Sequence, residues 1–193
     1  MDVVARIEAA ASRWNVLDHP FYQRWSKGEL TPAELAEYAA QYRHAVVALA
    51  DAAEASGDPE HAREEREHVA LWDAFAAGCG SASADPNAET LECSSSWTAG
   101  EDRLERLAVL YAIESAQPAI SQTKLEGLVA HYGFEEGPAT EYFALHADRD
   151  HEHAAHSREL LEKLAADEDA PRLAARAEAA ARGNWRLLDG VSR

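Results

Sequence analysis

Residues 31–78, TPAELAEYAAQYRHAVVALADAAEASGDPEHAREEREHVALWDAFAAG, decide the fold. The stretch opens on Thr31-Pro32-Ala33-Glu34, where a hydroxyl and a carboxylate three residues apart satisfy each other's free amides, with proline at the first helical position. The run AELAEYAAQYRHAVVALADAAEAS then has no breaker before Gly57. Asp58-Pro59 restarts a helix through EHAREEREHVALWDAFAA, which Gly78 and Gly80 end. Two long helices joined by a short turn must pack against each other, and such a pair is the seed of a bundle.

Outward from this pair the same punctuation recurs. Residues 80–99 are rich in Ser, Gly, Asp and Asn and read as a loop with room for a short turn of helix inside it. From Glu101 to His131, Leu104, Leu107, Ala108, Tyr111, Ala112 and Ser115 fall at helical spacing, and Pro118 is expected to kink that helix. Gly133 and Gly137 bracket a connection, Pro138 begins a helix running to about Ala166, and a last helix spans about Pro171 to Leu188. Strand-like alternation, internal repeats and linkers are absent, so the expectation is one all-α domain over residues 1–193, a bundle of about seven helices.

The formal net charge of −17 excludes a nucleic-acid partner and an anionic membrane surface, both of which require basic side chains. The N-terminus MDVVARIEAAASRW lacks the basic start and apolar run of a signal peptide, and no apolar stretch reaches the length of a membrane span. Cys79 and Cys93 form neither a CxxC pair nor a disulfide framework and read as incidental thiols in a reducing compartment, hence a cytoplasmic protein.

Six residues stand out as carriers of chemistry. Glu65-x-x-His68 puts a carboxylate and an imidazole one turn apart on one face, although the same helix carries Glu60, Glu64 and Glu67 and equally suits a solvated charged face. His146-x-x-x-Asp150-x-x-His153 places two imidazoles and a carboxylate on one stripe, a donor set suited to Fe(II) or Mn(II), with His151 on another phase and His156 at its margin. Glu114 decides between ligands and solvated charges. It lies in the most apolar stretch of the chain, VLYAIESAQPAI, where a carboxylate is costly unless paired with a cation or a metal. Three histidines and three carboxylates from three helices make a complete dinuclear set, the alternative for Glu114 being a structural pair with an arginine.

The segments HPFYQRWSKGELTPAELAEYAAQY, HVALWDAF, YAIESAQPAISQTKLEGL and EYFALHADRDHEHAAH resemble the haem-oxygenase-like superfamily that contains the TenA and PqqC proteins, over roughly residues 15–165. Within it they are most similar to the family of the chlamydial protein associating with death domains and its bacterial relatives, di-metal oxidases linked to p-aminobenzoate synthesis for folate. The resemblance implies a haem-oxygenase-like bundle holding two Fe(II), or a mixed Fe/Mn pair, with O2 and an external reductant as co-substrates. It implies the ligand set Glu65, His68, Glu114, His146, Asp150 and His153, Tyr22 as the source of the aromatic ring, Tyr38 as a second pocket tyrosine and Lys124 as the amino donor. In the chlamydial family the first ligand glutamate stands seven residues before the histidine, a position held here by His61. Other members of the superfamily use Glu-x-x-His, so Glu65 is assigned, with Glu64 and His61 as competitors.

Without the resemblance, Tyr22 and Tyr38 read as core packing and Lys124 as a surface lysine. Two other readings stand beside self-modification: oxidation of an external small molecule at the same centre, and a metal-free TenA- or PqqC-like binding protein. A thiaminase reading fails for want of a cysteine in the matching segments. Related folds often pair, which makes a homodimer the assembly the resemblance suggests.

Overall fold

In the computed structural model, which describes residues 2–192, the chain forms α1 (Val3–Ala11), α2 (Pro20–Trp25), α3 (Pro32–Ser56), α4 (Pro59–Gly78), α5 (Ala88–Trp97), α6 (Arg103–Glu114), α7 (Gln117–His131), α8 (Glu141–Leu164) and α9 (Ala170–Val191). Seven of these helices, α3 to α9, are ten residues or longer, and no strand occurs among the described residues. The capping box is formed: Thr31 Oγ1 accepts from the Glu34 amide at 3.2 Å, and the Thr31 amide donates to Glu34 at 2.8 Å. Gly57 closes α3 in the left-handed region at φ 87°, where a side chain would be strained.

α3 lies along α4, and α4 in turn meets α8, which packs on both α6 and α7. On the other side α9 gathers α1, α5 and α6. The larger apolar cluster fills the space around α3 with Tyr22, Trp25, Tyr38, Tyr42, Trp72, Trp97 and Phe143. A smaller cluster of Val4, Ile7, Leu107, Leu161 and Leu173 ties α1 and α9 to α6 and α8. The buried polar cluster described below sits where α4, α6 and α8 face one another.

Two expectations are corrected. Residues 88–97 form a full helix rather than loop: Asn87 caps it by accepting from the Thr90 amide at 2.8 Å, and its inner face presents Cys93 and Trp97 to α9. Trp97 Nε1 donates to the Ala180 carbonyl at 3.1 Å. Packing rather than propensity holds this Ser-rich helix, and that is why composition hides it. The second correction concerns Pro118. The expected kinked helix is instead two helices, α6 ending at Glu114 and α7 beginning at Gln117, with Pro118 in the first turn of α7. A first-turn residue has no amide bond to lose, so the proline starts a helix at no cost.

Candidate metal centre

The buried face of α4 repeats every three or four residues: His61, Glu65, His68, Trp72 and Phe75. The last two anchor the helix in the aromatic core, and the same phase carries the first three inward at the other end. On α8 the stripe Tyr142, Phe143, His146, Asp150, Ala154, Ser157 and Leu161 does likewise, with His153 at its edge. Glu114 arrives as the last residue of α6. Of the sequence-expected ligands, Glu65, His68, His146 and His153 come together in two groups that share Glu65, Glu114 meets the cluster through His61, and Asp150 is buried beside it, within the field of Glu65 and Glu114. Glu65, Glu114, His146 and Asp150 are at most 2% exposed and His68 6%, while the His153 side chain keeps 19%.

Glu65 is the hub. Its Oε1 is 3.2 Å from His68 Nδ1 and 3.7 Å from His61 Nε2, and its Oε2 is 3.9 Å from His146 Nε2. Two groups with donor atoms within 4.8 Å of one another share it: Glu65, His68 and His146, and His61, Glu65 and His153. Glu114 Oε1 stands 3.0 Å from His61 Nε2, and Glu114 Oε2 accepts from Ser157 Oγ at 3.4 Å, so histidine rather than arginine faces this carboxylate. His153 Nε2 is also 3.4 Å from Glu64, which remains at the margin. His156 is exposed on the outer side and does not extend the stripe.

His61 is the residue the sequence assignment ranked as a competitor and the structure places inside. It is 7% exposed, and its ring stacks on His153 with centroids 4.2 Å apart and planes 8° from parallel. The spacing 61, 65, 68, 72, 75 was the signal for it, since the core residues Trp72 and Phe75 fix the inward phase.

The electrostatics are those of a site built for cations. Burial raises Asp150, and Glu65 and Glu114 push it further, to about 9. For Glu65 burial works against ionisation, but His146, His61 and His68 outweigh it and hold its pKa well below the usual range. Burial likewise opposes protonation of His61, yet Glu114 and Glu65 prevail and raise it to about 10. His61 Nε2, Glu65 Oε2, His68 Nδ1, Glu114 Oε1, His146 Nε2 and Asp150 Oδ2 are buried without a hydrogen-bond partner. Native interiors rarely strand polar atoms, and a convergent group of six fits divalent metal. One donor is already oriented: His146 Nδ1 lies 2.7 Å from the Tyr142 carbonyl, which only accepts, so Nδ1 carries the proton and Nε2 presents its lone pair.

Tyr22, Tyr38 and Lys124 form a second buried chamber. The Tyr22 and Tyr38 hydroxyls are 2.8 Å apart. Lys124 is fully buried, its Nζ lacking a hydrogen-bond partner and lying 4.5 Å from the Tyr42 ring centre, 5.4 Å from Tyr22 and 5.6 Å from Tyr38. Burial lowers its pKa to about 7. The surface-lysine reading is thus wrong, for a physical reason: Lys124 shares the inward phase of α7 with Ile120, Ser121, Gly127 and Leu128. An aromatic layer joins the two chambers. Tyr142 stacks on His146 at 4.0 Å, meets Trp72 edge-on at 4.9 Å, and Trp72 stacks on Tyr42 at 5.1 Å.

A helical bundle with a buried His/carboxylate cluster of this donor set has the make-up of a metal-dependent protein. Residues 34–185 match the model of a haem-oxygenase-like family described as iron-containing redox enzymes, and the chain belongs to that family. It is therefore an oxidoreductase. Among its relatives is a 4-aminobenzoate synthase of Chlamydia muridarum, 30% identical over 191 residues, covering 87% of this chain and 81% of the relative. A second protein named 4-aminobenzoate synthase, from Nitrosomonas europaea, is 30% identical, covering 96% of this chain and 89% of the relative. The fold is shared with a haem-oxygenase-like domain of unknown function from Shewanella denitrificans, TM-score 0.79 at 21% identity over 99% of this chain and 92% of that one. A TenA homologue from P. horikoshii gives the same TM-score of 0.79 at 14% identity, over 99% and 98% of the two chains. Among the described residues no helix is long and apolar enough to cross a membrane.

Proposed function

We propose that this chain is an O2-dependent di-iron oxidase of the 4-aminobenzoate synthase type, acting on its own Tyr22 with Lys124 as the nitrogen donor. The observation that carries the reading is Lys124 Nζ, buried and unbonded above the rings of Tyr22 and Tyr38. Lysines are almost never buried without a counter-charge, and here the surrounding rings supply only their faces.

Glu65, His68, Glu114, His146, Asp150 and His153 would hold the metals, and the bound pair would supply O2 activation. The protein's own part is positional. Desolvation leaves a substantial fraction of Lys124 as the free amine near neutral pH, a nucleophile that a solvated lysine would not offer. Tyr38 fixes the Tyr22 hydroxyl through the 2.8 Å contact, and burial keeps both phenols protonated. Tyr22, Tyr38 and Lys124 are each at most 1% exposed, so the chamber is closed to water that would divert a reactive intermediate. A chain that consumes its own tyrosine and lysine acts at most once.

The test is rescue of a p-aminobenzoate auxotroph by the wild type, Tyr22→Phe and Lys124→Ala from one promoter. Wild type should rescue and both variants should fail while retaining iron. No rescue by well-expressed wild type overturns the reading.

One observation favours a second reading, oxidation of an external small molecule. A cavity of about 320 Å³ opens between α1, α6 and α9, and its floor includes Ile113, Ser115 and Ala116, the neighbours of Glu114. It is lined by Glu8 and Asp18 and by no basic side chain, so an uncharged or cationic compound suits it better than an acid. Oxygen uptake stimulated by such a compound, with no change in intact protein mass, would favour this reading over self-modification.

A further inference from the structure

We propose that His61 is a metal ligand, and that this chain carries seven donors in two halves that share Glu65, each half holding two imidazoles. The inference rests on the dinuclear reading above and extends it by a residue outside the six-ligand set.

The first half is Glu65, His68 and His146; the second is His61, Glu65 and His153. Remove His61 and the second half keeps a single imidazole, that of His153, which lies at the rim with its side chain 19% exposed, beside carboxylates already in mutual repulsion. With His61 the halves match in nitrogen donors, and Glu65 lies within 3.9 Å of a histidine nitrogen on each side. A carboxylate so placed, with one oxygen facing His61 and His68 and the other His146, is in the position of a bridge.

The competing explanation is that His61 is only a cationic partner for Glu114. The 3.0 Å separation of His61 Nε2 from Glu114 Oε1 suits it, but both atoms lack a partner in acceptable hydrogen-bond geometry. A pair evolved for that bond alone would align it, since a misaligned buried pair forfeits most of its energy. The rest of the ring's surroundings also fit a ligand. Its parallel stack sets its ring face to face with that of His153, the other imidazole of the second half, and the i, i+4, i+7 spacing of His61, Glu65 and His68 aims all three inward from one rigid helix.

Anaerobic Co(II) titration of the full chain, read by ligand-field absorption and by metal content after desalting, separates the two roles. His61→Gln keeps an amide that can donate to Glu114 but offers a poor metal donor. The expected result is two Co(II) per chain in the wild type and one in His61→Gln, the second bound at least about tenfold more weakly, with helix content unchanged. Two equally tight Co(II) in His61→Gln would overturn the ligand role and leave the six-donor centre standing. Loss of both metals in a folded His61→Gln protein would overturn the two-half arrangement. Wild type that binds no metal would overturn the dinuclear reading itself, and this proposal with it.

Discussion

A lysine with no counter-charge inside an aromatic chamber costs stability whenever it is protonated. Unfolding returns Lys124 from about 7 to 10.5, so the unfolded chain binds the extra proton between those values. The penalty is therefore full below pH 7, declines as pH rises, and vanishes above 10.5. Lys124→Met keeps the stem and removes the amine. It should raise stability at pH 7 by on the order of a few kcal/mol, with the gain shrinking toward pH 10, as read by urea unfolding at several pH values. Asp150 makes the same argument with opposite charge. Buried, and held near Glu65 and Glu114, it resists ionisation, so Asp150→Asn should melt at the same or a higher temperature without metal yet lose one metal and the stabilisation that metal confers. Full metal content in that variant would remove Asp150 from the set. At this scale the sequence was partly legible. The stripes on α4 and α8 marked the candidate ligands because histidine and carboxylate on a core-facing phase have few other uses. Lys124 was legible only through the family resemblance, because a single lysine among Ile120, Ser121 and Leu128 looks like an ordinary interruption until its phase is fixed by packing.

Helix placement sets these residues, and one close approach governs the tyrosine chamber. A Cβ on Gly127 of α7 would lie 2.5 Å from Trp25 Cδ1 and Nε1, and Trp25 Nε1 donates to the Lys124 carbonyl at 3.1 Å. Gly127→Ala should cost about 1–3 kcal/mol by overpacking against a helix-propensity gain of about 1 kcal/mol. Trp25 is wholly buried and cannot move aside, so a lower Tm is the expected outcome; an unchanged or higher Tm would mean that α2 and α7 adjust freely. At the start of α3, Glu34 is held near 2 by Arg24 first and by Thr31 next. Its folded pKa is depressed from 4.5, so its contribution is complete above pH 4.5 and lost as pH falls toward 2. Glu34→Gln should lower the melting temperature at pH 7 by less than about 1 kcal/mol in stability terms, because the pair is partly solvated, and the two proteins should converge near pH 2. The long helices were readable from caps and glycines because those signals are local. α5 and the break before Pro118 were not, since one depends on α9 and the other on whether a proline falls in a first turn or an interior.

Taken whole, the molecule brings two histidine-bearing helices, α4 and α8, and the Glu114 end of α6 to one point and packs aromatic layers against them. Such an assembly gathers three buried carboxylates at its centre and carries a net charge of −17 overall, both of which divalent cations relieve. Metal bound only by the folded chain should raise Tm, and more so as its concentration rises. The fold class could be read from the sequence because bundle geometry follows from helix length and short connections. The separation of the centre into a His/carboxylate cluster and a tyrosine–lysine cluster could not, because it depends on Trp72 and Tyr142 lying between them. The most direct measurement is the iron content of freshly purified chain after anaerobic reconstitution and desalting. Two Fe(II) per chain, with a matching rise in Tm, is what a Glu65-centred pair predicts; a folded protein that retains no stoichiometric iron would contradict it.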